Sequence, residues 1–454
     1  MTADRCDCSR RQAVRSLFTG SILFPAVLQQ LLADSGDSLA ARAPHFPGTA
    51  KRVIFMYMPG GVSHVDSFDY KPKLLAAAEA KEKFRNGKLY VRPHWEFKPR
   101  GQCGTMVSEL FPHVGSSMDD ICLIRSMRGD HNDHFQATLG IHTGSVSVAR
   151  PSIGSWVSYG LGTENQNLPS FVVLAPKLPY TGAQAWSSDF LPGCHSGTLV
   201  TAGPEPVPNL ARAAPTQKIE ELELGLLARF NRKHQQSRPA DAALVARIKS
   251  FETAFGMQME MPEVLDLTKE TDATLKLYGL ERGSTKGFAW QCIIARRLVE
   301  RGVRFIELID VGASDNWDAH ADIRTHEPLA RNVDQPIAGL LKDLKSRGLL
   351  DDTLVVWTTE FGRTPHADSP EGRGHYNRAY SSWMAGGGVK GGIAWGQTDD
   401  FGYNVVENEV HVHDFHATIL HLLGFDHTRL TFRYAGRDFR LTDVAGNVVK
   451  GLLA

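Results

Sequence analysis

The chain carries no excess of charge of either sign: among its 454 residues, 50 Lys and Arg face 50 Asp and Glu. Surfaces that bind nucleic acid show a basic excess, so no nucleic-acid partner is expected. Long apolar runs are missing too. No internal stretch reaches the ~20 apolar residues that a membrane helix needs, so no transmembrane segment is expected in the mature chain. Cysteine is scarce. Cys6 and Cys8 lie near the N-terminus, and Cys103, Cys122, Cys194 and Cys292 are scattered without paired zinc-ligand spacing. Buried thiols are expected of these four, although an oxidising compartment permits a disulfide. No long Gly/Ser linker marks a second domain.

What is present begins with Cys8-Ser9-Arg10-Arg11-Gln12-Ala13-Val14. A modestly apolar stretch, 16–33, follows, and small residues gather around Ala40, Ala41 and Ala43. A positive segment, an apolar segment and small residues in that order make a signal peptide, expected over 1–43. The paired arginines resemble a twin-arginine export signal, although Ala13 stands where an aromatic is usual. The protein is therefore expected in the periplasm or cell envelope, with its mature domain over 44–454.

Short apolar runs that end in glycine-rich or polar loops read as buried strands. They fall at 52–58, 121–124, 171–174, 303–309, 353–358 and 381–385. Helical spacing of apolar residues appears at 134–142, 288–301, 327–347 and 413–423. Strands that alternate with helices imply an α/β fold with a mostly parallel sheet covered on both faces. The polar stretch 216–280 holds two further helical patterns, at 217–232 and 241–255, and reads as a helical insertion over that core.

In a parallel sheet, ligands bind beyond the carboxyl ends of the strands, so the residues just after each run are the ones to inspect. They are His64 and Asp66 after the first, Asp133 and His134 after the second, and Asp315, Asp318 and His320 after 303–309. Glu360 and Arg363 follow 353–358, with His375 a short loop later. Asp, Glu and His converging from several loops can hold a divalent metal such as zinc, calcium or magnesium. Metal can in turn activate a nucleophile. The alternative is solvated loops and histidines that cap helices. The cluster His411, His413, Asp414, His416 and His421 is expected to cap and pack rather than ligate.

From about residue 50 to the C-terminus, the chain resembles a sulfatase-like domain-of-unknown-function family. Its members are exported bacterial proteins, abundant in planctomycetes, within the alkaline phosphatase superfamily. The resemblance rests on Gly60-Gly61-Val62-Ser63-His64-Val65-Asp66, Trp357-Thr358-Thr359-Glu360-Phe361-Gly362-Arg363 and His411-Val412-His413-Asp414-Phe415-His416. It implies an alkaline-phosphatase-like fold and hydrolysis of phosphate or sulfate esters, with a small anionic ester or a sulfated polysaccharide as partner. It places His134, preceded by Asp133, at the nucleophile position, nine residues before Thr143. It matches metal ligands to Asp318 or Asp315, His320, Glu360 and His375, with His64 or Asp66 replacing a first aspartate near Pro59. Phe361 stands where a second metal has a histidine. Arg363 or Arg125 is the expected anion holder. The same resemblance leaves open a non-catalytic cell-envelope binding protein on this fold.

Overall fold

Val53-Ile54-Phe55-Met56-Tyr57 is apolar without interruption because both faces of its strand are covered. Val53, Phe55 and Tyr57 enter one core, and Ile54 and Met56 enter the other, as the alternation of side chains along a strand requires. The strand Arg52–Tyr57 pairs in parallel with Phe305–Ile309 on one side and Thr353–Thr358 on the other. Phe171–Leu174 continues the sheet beyond Phe305–Ile309, also in parallel, and Thr198–Val200 follows it. On the opposite flank, Tyr380–Ala385 runs antiparallel to both Thr353–Thr358 and Ile121–Arg128. Ile393–Trp395 and Val410–His411 add in parallel to Ile121–Arg128. The result is a nine-stranded, mostly parallel sheet, as expected. One expected strand, at 381–385, is the antiparallel exception.

The computed structural model describes residues 39–208, 210, 216–238 and 241–454. Arg10, Arg11 and most of the expected signal segment lie outside the described residues. Residues 39–43 lie inside: Leu39 is buried, its carbonyl accepts from Thr163 N at 3.0 Å, and Arg42 N donates to Leu161 O at 2.8 Å.

Helices cover both faces. Gly287–Glu300 and His326–Ser346 join the core that holds Ile54 and Met56. The second buries Ala330, Val333, Ile337, Leu340, Leu341 and Leu344, the three- and four-residue spacing of an amphipathic helix. Ile153–Leu161 and Val412–Leu422 pack on the other face. Over the region 216–280 run the helices Gln217–Gln236, Ala242–Leu265 and Asp272–Tyr278. Among the described residues, no helix is long and apolar enough to cross a membrane. None of the four cysteines there forms a disulfide; Cys122 and Cys292 are buried, whereas Cys103 is exposed.

Candidate metal centre

The parallel strands end together, and their loops interlock beyond that edge. Gly60, just past the first strand, has φ 112°, and a Cβ there would lie 2.6 Å from the backbone nitrogens of Trp317 and Asp318. Only glycine lets the two loops approach so closely. That approach places Asp318 beside the end of the central strand. Glu360 follows Thr353–Thr358 directly, and His375 lies on the hairpin Gly362–Ala367 with Arg373–Tyr376, opposite Arg363. His134 begins the helix His134–Thr143. Its cap is Asp133, whose side chain accepts from Phe135 N at 3.0 Å.

Three imidazoles are held in the same way. His134 Nδ1 lies 2.7 Å from Glu360 Oε1, His320 Nδ1 lies 2.7 Å from Asp368 Oδ2, and His375 Nδ1 lies 2.8 Å from Asn132 O. Each of those oxygens accepts, so each Nδ1 donates, and the neutral ring keeps its lone pair on Nε2. These Nε2 atoms converge. His320 Nε2 and His375 Nε2 are 2.7 Å apart. Asp318 Oδ1 lies 3.2 Å from each of them. His134 Nε2 is buried with no hydrogen-bond partner, 3.3 Å from Asp318 Oδ2. Lone pairs facing each other at this range repel unless a proton or cation sits among them.

The ligand atoms of His134, Asp318 and His375 all lie within 4.8 Å of one another. Histidines that bind metal characteristically donate their other ring nitrogen to a carboxylate or carbonyl, and all three do so here. The donor set therefore fits a divalent cation, with His320 as a further nitrogen at the exposed side.

Electrostatics follow from the geometry. Burial pulls the His134 pKa down, but the Asp318 and Glu360 carboxylates outweigh it and raise it to about 9. Burial pushes the Asp318 carboxyl up, and His134, His375 and Arg363 hold it far below the usual carboxylate range. Glu360 is fully enclosed, accepts from Gly60 N at 2.7 Å, and is held low against its burial by His134.

The walls are aromatic. Tyr180 stacks on His134 with ring centroids 4.2 Å apart and an interplanar angle of 6°. Phe361 lies 4.9 Å from His134 and 4.6 Å from His375. Asn316 ties the parts together: its amide nitrogen donates to Tyr180 OH at 2.7 Å, and its oxygen accepts from Asp318 N at 2.9 Å. A cleft of about 630 Å³ opens beside Asp318, lined by Tyr180, Asn316, Thr325 and Leu329, with Asp315 also on its wall.

Of the residues singled out in sequence, the structure thus brings together His134, Asp318, His320, Glu360, Arg363 and His375. It does not bring His64, Asp66 or Asp315 to them. Asp66 is fully buried and paired with Arg373, Nε to Oδ2 2.7 Å; both side chains have zero exposure there, so the pair is structural. His64 Nε2 is bonded to Gly402 O at 2.7 Å. Asp315 has a left-handed backbone, φ 53°, and its exposed side chain pairs with Lys177 at 3.3 Å.

Arg363 reaches the centre but is not free to hold an anion. Nε donates to Gly61 O at 2.9 Å, Nη1 to Arg373 O at 3.1 Å, and Nη2 to Asp318 Oδ1 at 2.6 Å and to Gly60 O. Its work is to tie the loops and aim Asp318. Asp133 is a helix cap rather than a reacting group.

Sequence reading missed Tyr180, Asn316 and Asp368. Tyr180 follows the strand Phe171–Leu174 by a short loop, so the strand-end rule that found the others applied to it as well. Asp368 carried no signal, because only the hairpin returns it to His320. The histidines around 411–421 do cap and pack: His413 Nε2 meets Gly144 O at 2.8 Å, and His416 Nε2 meets Ile141 O at 2.7 Å.

Fold and cluster together define an α/β protein whose strand-end loops build a histidine-rich centre able to hold a metal ion. A family model described as "Protein of unknown function (DUF1501)" matches residues 50–453, and the chain belongs to that family. No curated protein matches. Similar solved structures include the alkaline phosphatase of the Antarctic bacterium TAB5, at 11% identity over 84% of this chain and 99% of that one, TM-score 0.35. The lipoteichoic acid synthase LtaP of Listeria monocytogenes is similar at 8% identity over 88% and 78%, TM-score 0.34. The PsFucS1 sulfatase of Pseudoalteromonas sp. is similar at 12% identity over 88% and 71%, TM-score 0.33.

Proposed function

We propose that the protein is a metal-dependent hydrolase of phosphate or sulfate esters that acts outside the cytoplasm. The observation that carries the metal is the convergence of three imidazole Nε2 atoms on Asp318, each ring fixed through Nδ1. Imidazole-rich sites suit zinc and its neighbours in the transition series better than calcium or magnesium, which favour oxygen. When bound, such a cation supplies Lewis acidity, lowering the pKa of a water and polarising an ester oxygen. The protein does the positioning. Glu360, Asp368 and Asn132 O fix the ring tautomers, Arg363 aims Asp318, and Tyr180 and Phe361 wall the His134 and His375 rings.

The substrate class rests on the sequence resemblance, and a small anionic ester or a sulfated polysaccharide remains its expected form. Export rests on Arg10 and Arg11; replacing both with Lys is expected to leave unprocessed protein in the cytoplasm. The deciding experiment is metal analysis of purified protein, paired with turnover of aryl phosphates and aryl sulfates before and after chelation. Turnover that is lost on chelation and restored by zinc supports the reading. Bound metal without turnover of any ester supports the second reading, a cell-envelope binding protein on the same fold. One observation favours that second reading: Arg363 is spent on backbone carbonyls and Asp318, and the charged residues lining the cleft, Asp315 and Asp318, are both acidic.

A further inference from the structure

The helix Gln217–Gln236 turns its more apolar face away from the protein. Glu220, Leu224, Ala228, Asn231 and Gln235 are its half-buried positions. On the opposite side, Ile219, Leu222, Leu226 and Phe230 recur at three- and four-residue spacing. They are exposed, Leu222 by 67% and Phe230 by 62%, and Leu227 beside them is exposed too. A surface helix normally buries its apolar stripe, and a contiguous exposed apolar stripe marks a place where something docks. Gly225 sits next to Leu226 in the middle of the helix, where a Cβ would meet nothing within 4 Å. A glycine there weakens the helix by about 1 kcal/mol relative to alanine, and it removes the bulk that would hold a second helix away.

The charges choose the occupant. Beside that stripe stand Glu223 in the first half of the helix and Arg229 in the second, equally spaced about Leu226. An antiparallel copy of the same helix sets Glu223 beside Arg229 of the other chain, whereas a parallel copy sets like on like. A twofold axis near Leu226 then places Leu226 against its own copy and Leu222 across from Phe230. We propose that this face is the interface of a homodimer, formed by antiparallel pairing of Gln217–Gln236 with the same helix of a second chain. The pairing is isologous, so it closes at two chains. It needs nothing from the metal centre and stands whether or not that centre is catalytic.

The test uses the full exported chain. Light scattering behind size exclusion is expected to give twice the chain mass. Leu226→Glu with Phe230→Glu is expected to weaken association at least about tenfold, from the loss of buried leucine and phenylalanine on both chains. Far-ultraviolet circular dichroism and metal content should stay unchanged. For orientation, a Leu222→Cys chain mixed with a Phe230→Cys chain should form a mixed disulfide faster than either forms one with itself. A wild-type chain still monomeric at about 50 μM, well above a dissociation constant on the order of 1 μM, overturns the proposal. So does a dimer indifferent to the double glutamate change. Faster self-linking of each cysteine variant overturns the antiparallel arrangement, and a monomer that binds anionic lipid vesicles assigns the face to a membrane instead.

Discussion

His134 Nδ1 donates to Glu360 Oε1 at 2.7 Å, and that one contact fixes the proton on Nδ1 and turns Nε2, the atom available to a metal, toward Asp318. Glu360 is itself fixed by Gly60 N, so the tautomer of the histidine is set by the backbone of the central strand's loop.

Removing this support should weaken metal binding without unfolding the chain. Glu360→Gln is expected to lower metal affinity by about 10- to 100-fold, the usual loss when the partner of a ligating histidine is changed. His134→Ala and His375→Ala should each abolish stoichiometric binding. Zinc titration calorimetry reads all three, and unchanged affinity in Glu360→Gln would remove the carboxylate from the account.

Asp66 gives the opposite pattern. Its pair with Arg373 is wholly buried, and leaving one member of such a pair alone costs about 3–5 kcal/mol. Asp66→Ala should therefore lower the urea midpoint sharply while the folded fraction still binds metal with wild-type stoichiometry. Loss of metal at unchanged stability would return Asp66 to the ligand set.

Phe361 fills the place where the family resemblance puts a second histidine, 4.6 Å from His375 between ring centroids. Phe361→His adds a nitrogen donor there. The expectation is a rise from one bound metal per chain toward two, measured by elemental analysis. A stoichiometry that stays at one, in a folded variant, would show that no second site is latent.

Stability should fall in mild acid because of two histidines far from the metal centre. Burial, the largest influence on both, pulls His195 and His416 to about 3. Each leaves one ring nitrogen buried without a partner. The unfolded chain takes up a proton at each near pH 6.5 and the folded chain does not. Stability is thus unaffected above about pH 7 and falls as pH drops from about 6.5 toward 3, by up to about 1.4 kcal/mol per unit for each histidine. In His416→Gln, whose amide can still donate to Ile141 O, the slope of urea midpoint between pH 7 and pH 5 should flatten. An unchanged slope would assign acid sensitivity to other groups.

Much of the architecture was written in local pattern. Uninterrupted apolar runs such as 53–57 announce strands covered on both faces, and the rule that parallel strands present ligands at their carboxyl ends led to His134, Asp318, His320, Glu360 and His375. The sequence by itself determined the strand and helix types and the loops from which the centre is drawn. Tertiary structure decided which side chains in those loops meet. His64 and Asp66 follow a strand as Glu360 does, yet they turn into the core, where His64 bonds Gly402 O and Asp66 pairs with Arg373. Arg363 looks like an anion holder in one dimension and is consumed by carbonyls in three. Asp368 becomes a partner of His320 only through a hairpin. The physical reason is range: periodicity records which face of an element is buried, a property of neighbours in sequence. Hydrogen-bond partners and metal ligands are set by contacts between loops, and those exist only once the sheet has brought its strand ends together.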